Sequence, residues 1–244
     1  MRGWTLLALF VGCDAVFDLE HVTPIDAPAT IDHDGDGVFE GDNCPLIANA
    51  DQLDDDDDMI GNMCDPHPGQ NDVIIDQELF RGPTSMWTET GTWTKAEGAW
   101  TSPDPTIGGA IAFPIRQLYR PALQVGFTIK AYDPSIDLHQ LELHFDDSAV
   151  ADCSVRNDTN AGAMSQLVMH VGTTMYVSRA ITPDFVTETH YVATYARALM
   201  STCTILNQPV SRPDTAELFT SAPTLTVARM QVTIDHVTLY QVMQ

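Results

Sequence analysis

Carboxylates at alternate positions mark one stretch of this 244-residue chain as a place where chemistry can happen. Asp32, Asp34 and Asp36 run into Gly37, and Asp54, Asp56 and Asp58 repeat the spacing, with Asp65 eleven residues after Asp54. Glu40 and Asp42 lie between the two runs. Calcium is a hard cation that takes six to eight oxygen ligands, and acids at alternate positions can turn their carboxylates to the inside of a tight loop. A glycine after the third acid lets the chain turn. The offset from Asp54 to Asp65 is the one that carries the closing carboxylate in EF-hand loops. The first run has Asn43 at that offset and must close in another way. The expected ligands are therefore Asp32, Asp34, Asp36, Glu40, Asp42, Asp54, Asp56, Asp58 and Asp65. Without a cation the stretch should not fold. Two like charges about 5 Å apart repel by roughly 3 kcal/mol at an effective dielectric near 20, and Val38, Phe39, Leu46, Ile47, Leu53 and Ile60 are too few to offset the ordering entropy.

The charge distribution supports this reading. The formal net charge is −23, and from Asp14 to Asp76 there are eighteen Asp or Glu and no Lys or Arg. From Gln77 onward sixteen acids face ten bases. Two kinds of polypeptide therefore share one chain. Nucleic acid is excluded as a partner, because phosphate binding needs Lys and Arg. Cations are favoured.

Asp42-Asn43-Cys44-Pro45, then Asn49, Gln52, Gly61, Cys64 and Asp65, complete the pattern around the aspartates. Residues 32–65 resemble a thrombospondin type 3 repeat, in which Asp-x-Asp-x-Asp-Gly leads into Asp-Asn-Cys-Pro and a second aspartate run leads into Gly-Asp-x-Cys-Asp. The resemblance implies calcium held by aspartates around a chain with little regular structure. Met59 stands where that family usually has glycine, and Asn62 where it has aspartate.

The N-terminus has Arg2, an apolar run from Trp4 to Val11, then Gly12-Cys13. It resembles a bacterial lipoprotein signal and is too short to span a bilayer as a mature helix. The resemblance implies cleavage after residue 12, lipid on Cys13, and export to the outer membrane or cell surface, with Asp14 leaving the choice of membrane open. Residues 13–31, with Pro24 and Pro28, read as a tether and residues 66–73 as a linker. Four cysteines remain. In an exported protein they suggest disulfides, and of three pairings their clustering favours Cys44 with Cys64 and Cys153 with Cys203.

From residue 74 to 244, short runs of Val, Thr, Ile, Leu, Tyr and Phe alternate with Gly, Pro, Asn and Asp, the texture of an all-β domain. Leu123–Ala131 alternates Val125, Phe127 and Ile129 against Gln124, Gly126, Thr128 and Lys130, so one face should be buried and one wet. Gln140–Asp146 does the same. Further strands are expected at Gln166–Val171, Thr174–Ser178, His190–Ala198, Leu225–Gln231 and Val232–Gln244. A hairpin is expected from Thr90–Thr94 and Ala99–Thr101 about Glu97-Gly98. The Trp87, Gly91, Trp93, Gly98, Trp100 stretch and the closing Ile234-Asp235-His236-Val237-Thr238-Leu239-Tyr240 resemble the ends of laminin-G or concanavalin A-like jelly rolls. That resemblance implies an antiparallel β-sandwich that binds sugars or proteins.

The three tryptophans can either stack on sugar or pack in the core. Glu142, His144 and Asp146 share a strand face and resemble the Glu-x-Asp-x-Glu strand motif of sandwich glycosidases, but His144 stands where that motif has aspartate and Asp146 is a shorter arm than its closing glutamate. The eight histidines are scattered with no zinc spacing. The expectation is a non-enzymatic, calcium-binding, lipid-anchored protein displaying a sandwich to a glycan or surface protein. A glycan-degrading enzyme and a purely structural envelope protein are the alternatives.

Overall fold

The computed structural model describes residues 32–80, 87–113, 117–133, 135–145, 153–158, 164–171, 174–213, 218–219 and 222–243. The proposed signal, Cys13 and the tether therefore lie outside the described residues, as does Asp146. The described chain is all β and no helix of it is long and apolar enough to cross a membrane. In chain order the strands begin with β1 (Asp72–Glu78), β2 (Thr88–Thr90), β3 (Thr94–Ala96), β4 (Ala99–Thr101), β5 (Gly109–Ala112) and β6 (Leu118–Tyr119). Then come β7 (Pro121–Tyr132), β8 (Leu138–Phe145), β9 (Cys153–Asp158), β10 (Met164–Val171), β11 (Thr174–Ala180) and β12 (His190–Ala196). The last are β13 (Met200–Ile205), β14 (Gln208–Pro213), β15 (Leu218–Phe219), β16 (Pro223–Ala228) and β17 (Met230–Val242).

Two antiparallel sheets stack as a sandwich. One runs β14-β13-β12-β7-β17-β4-β3, with β1 also paired to β17. The other runs β11-β10-β9-β8-β16-β5-β2. Alternation along each strand supplies the core between them. Leu123, Val125, Phe127 and Ile129 of β7 and Val232, Ile234, Val237 and Leu239 of β17 face Leu141, Leu143 and Phe145 of β8 and Leu225 and Val227 of β16, all buried. Cys153 of β9 and Cys203 of β13 are disulfide-bonded, so the bridge ties one sheet to the other. Trp87, Trp93 and Trp100 are buried, and Trp100 packs on Phe80 with centroids 4.9 Å apart. Of the two roles open to them, core packing is the one observed.

Three expectations are corrected. The hairpin pairs Thr94–Ala96 with Ala99–Thr101, whereas Thr88–Thr90 belongs to the opposite sheet. Trp93 turns inward at that corner, its indole N–H donating to the Thr90 carbonyl at 3.0 Å. The break before the last strand falls at Arg229, whose φ of 63° carries the chain from one sheet to the other. The wet face of β7 is largely covered. Gln124 is only 3% exposed, because the acidic segment packs on this side of the sheet.

Candidate functional site

The acidic segment is irregular, and its backbone is organised by its own side chains. Asn43, Asn49 and Gln52 form its polar frame. The Asn43 N–H donates to Gln52 Oε1 at 2.9 Å, and Asn49 Nδ2 donates to Asn43 Oδ1 at 2.7 Å. Gln52 Nε2 donates to Asp42 Oδ1 at 3.0 Å. The Cys44–Cys64 disulfide closes the unit. That bridge and Ile60 cluster with Ala122, Ala196 and Tyr240 of the sandwich. Phe39 and Leu53 stay exposed, at 51% and 55%. The segment therefore lacks a core of its own and shares one with the outer face of the sheet. Its far end is pinned as well. Buried His67 lies 3.0 Å from the Asp72 carboxylate and 3.1 Å from the Arg197 carbonyl, and the Asp72 N–H donates to Asp58 Oδ2 at 2.6 Å.

Two loops repeat one geometry. In the first, Asp32 Oδ2 accepts from the Gly37 N–H at 2.9 Å; in the second, Asp54 Oδ2 accepts from the Met59 N–H at 2.9 Å. Asp36 Oδ1 and Asp58 Oδ1 each accept from the N–H two residues on, at 2.8 Å. The left-handed positions also correspond. Gly35 and Gly37 have φ of 81° and 92°, and Asp57 and Met59 have 60° and 73°. The alternation seen in the sequence is realised in space: the even-numbered acids turn inward while His33, Gly35, Asp55 and Asp57 are exposed.

One carboxylate oxygen from each of Asp32, Asp34 and Asp36 lies within 4.8 Å of the others, and the same holds for Asp54, Asp56 and Asp58. Asp34 Oδ2, Asp54 Oδ1 and both oxygens of Asp56 are buried with no hydrogen-bond partner. Burial, with Asp36 and Asp42 nearby, raises the Asp34 carboxyl, although the Asp36 N–H opposes it. Burial, then Asp58 and Asp54, raises Asp56. Burial also pushes Asp65 up to about 7, against the His67 N–H and with help from Asp72, Asp58 and Asp56. Buried acceptor atoms facing like charges and lacking donors are what a hard cation requires, and they are costly otherwise. Of the nine expected ligands, six converge in two triads. Asp42 and Asp65 stand beside the first and second triads as their charged neighbours, while Glu40 is exposed and belongs to neither.

The opposite sheet carries a second polar group on its outer face. Glu142 Oε1 accepts from Ser154 Oγ at 3.1 Å and lies 3.9 Å from Arg156. Arg156 Nη2 donates to His170 Nε2 at 3.0 Å. His144 is 3.7 Å from Glu142. Glu142 is thus engaged by neighbours on β8 and β9.

Sequence reasoning missed one cluster. His190 and His236 are 46 positions apart in the chain, yet both contact Asp235. The adjacent Asp235-His236 pair, the one Asp and the one His of the closing strand, was the available signal.

No family model and no curated protein matches this sequence. Solved structures do match its fold. The exoplasmic/lumenal domain of VIP36, in a Ca2+/Man3GlcNAc-bound form, superposes with a TM-score of 0.54 at 10% identity, covering 69% of this chain and 91% of that one. The CBM2 module of the evolved Dit of Lactobacillus casei BL23 phage J-1 gives 0.55 at 8%, covering 71% and 97%. A Bacillus subtilis protein with a galectin-like fold gives 0.52 at 9%, covering 70% and 97%. The described chain is therefore similar in fold to lectin-like jelly-roll sandwiches.

Proposed function

We propose that this chain is an exported calcium-binding protein whose lectin-like sandwich engages a glycan without hydrolysing it. The calcium half rests on one observation: the two loops aim buried carboxylate oxygens that have no hydrogen-bond donor into a common space. Asp32, Asp34 and Asp36 would hold one ion and Asp54, Asp56 and Asp58 another, with Asp42 and Asp65 adding charge. The thrombospondin type 3 likeness of residues 32–65 supports the same assignment. In this role calcium replaces the repulsion among carboxylates by attraction and makes the segment a rigid cover on the β7/β17 face.

The glycan half is supported by the likeness of fold to VIP36 in its Ca2+/Man3GlcNAc-bound form and to the CBM2 module of the phage Dit, although fold alone does not confer function. Glu142 and Arg156, both partly exposed and held in place by buried Ser154 and His170, supply the fixed acceptor and donor that sugar hydroxyls need. Two disulfides and the lipoprotein-like N-terminus favour export and a lipid on Cys13, with residues 13–31 as tether. A protein ligand at the cell surface is the alternative occupant.

A glycan panel read with the calcium-loaded protein tests the second half. Binding that is lost in Arg156→Ala, with the fold intact by circular dichroism, is the expected result. Binding unchanged by that substitution removes this face as the glycan site. Calorimetric titration with calcium tests the first half and should reveal at least two ions.

A further inference from the structure

Two of the eight histidines, distant in sequence, converge on one carboxylate. His190 Nε2 lies 2.9 Å from Asp235 Oδ2, and His236 Nδ1 lies 2.6 Å from Asp235 Oδ1. One ligand atom from each of the three residues lies within 4.8 Å of the others. We propose that His190, Asp235 and His236 form a binding site for a divalent transition-metal ion of zinc's class, separate from the two aspartate loops.

Three features of the fold build this cluster. In a regular strand Asp235 and His236 would point to opposite faces. The register of β17 against β7 shifts between Ile234 and His236, and this bulge puts both side chains on the outer face of the sheet. His190 reaches them from β12, across β7. It can do so because β7 carries Gly126 opposite His236: a Cβ there would collide with the His236 ring and with the Asp235 carboxylate. The bulge, the glycine and the position of His190 are independent local choices with one joint outcome.

The chemistry of the donors selects the ion. Two imidazoles and one carboxylate suit zinc and its neighbours, whereas calcium and magnesium prefer all-oxygen sites. A tetrahedral ion with bonds near 2.0–2.1 Å needs donor atoms about 3.3 Å apart. The two hydrogen-bonded contacts would open by about half an ångström as the ion replaces the shared protons. His236 is 2% exposed, and its Nε2 is buried without a hydrogen-bond partner. The ring is fixed through Nδ1, the nitrogen that faces Asp235 at the cluster. The cluster opens on a cleft of about 390 Å³ that His33 also lines. That cleft gives room for a fourth ligand, from water or from His33 of the first aspartate loop.

The test uses the full chain, stripped of metal, reloaded with saturating calcium and titrated with zinc in a calorimeter. The expected result is one zinc equivalent that His190→Ala weakens by roughly 100-fold or more, since losing even a partner outside the ligand shell costs about 10- to 100-fold. The His190 side chain is 46% exposed, so its removal should leave the fold intact, as near-ultraviolet circular dichroism will show. Asp235→Asn should weaken zinc comparably, and cobalt in the unaltered protein should give the strong visible absorption of a four-coordinate ion. Zinc uptake that is absent, or present and unchanged in His190→Ala, overturns the proposal.

Discussion

Replacing Asp56 by asparagine should raise stability without calcium, and saturating calcium should cancel or reverse that gain. Asp56 is the member of its triad with both oxygens buried and unpartnered. Asp54 and Asp58 each present a carboxylate oxygen within 4.8 Å of one of them. At an effective dielectric near 20 each such pair costs about 3 kcal/mol. The loop is half-exposed, and solvent and salt screening reduce this to about 1 kcal/mol per pair. Asp56→Asn keeps the shape and removes two repulsions, so the calcium-free protein should gain up to about 2 kcal/mol, in proportion to how far the loop stays docked without the ion. For a domain of this size that is a rise in Tm of about 4–8 °C. In calcium the same change removes a charged ligand, and calcium Kd should weaken by about 30- to 100-fold, or about 2–3 kcal/mol. Thermal unfolding in chelator and in millimolar calcium, with calorimetric titration beside it, measures both effects. Equal effects of the same sign in the two conditions would refute the reasoning, because a solvated acidic linker would respond to charge in one way only.

Three further outcomes follow from the same geometry. Met59 holds a left-handed φ of 73° where the first loop has Gly37, so Met59→Gly should stabilise the calcium-loaded protein by about 1 kcal/mol, read from the denaturation midpoint. Asp65 is pushed up to about 7 by burial and by Asp72, Asp58 and Asp56; a folded value above the unfolded one, near 4, means that its stability contribution is full below about pH 4 and is lost as pH rises through 7. Urea midpoints in chelator should therefore fall across that window and flatten when calcium is added. Serine at both Cys153 and Cys203 opens a loop of sequence separation 50 and should cost about 4 kcal/mol by chain entropy, read as a lowered Tm without loss of calcium uptake.

The parts of the fold that were legible in the sequence are those with local causes. Alternate aspartates became alternate inward carboxylates, because their own backbone N–H groups tie them at fixed offsets. The apolar alternation of β7, β8 and β17 located the core. Both disulfides join the cysteines that clustering favoured. The rest depended on distant partners. Gln124 and Thr238 look like wet-face residues and are 3% and 0% exposed, because the acidic segment docks over them. Strands β1, β5 and β14 are short or polar and owe their pairing to neighbours far away in sequence. The strand expected at His190–Ala198 pairs with β7 and ends at Ala196, before Arg197. His190 and His236 could not be joined without knowing that β12 and β17 flank β7.

Hydrogen exchange over residues 32–65, with disulfides intact, tests the central claim most directly. The account predicts that millimolar calcium slows exchange at the loop amides, including those of Gly37, Met59 and Ile60, while chelator leaves them fast and the sandwich strands protected. Identical exchange at those amides in calcium and in chelator would contradict it.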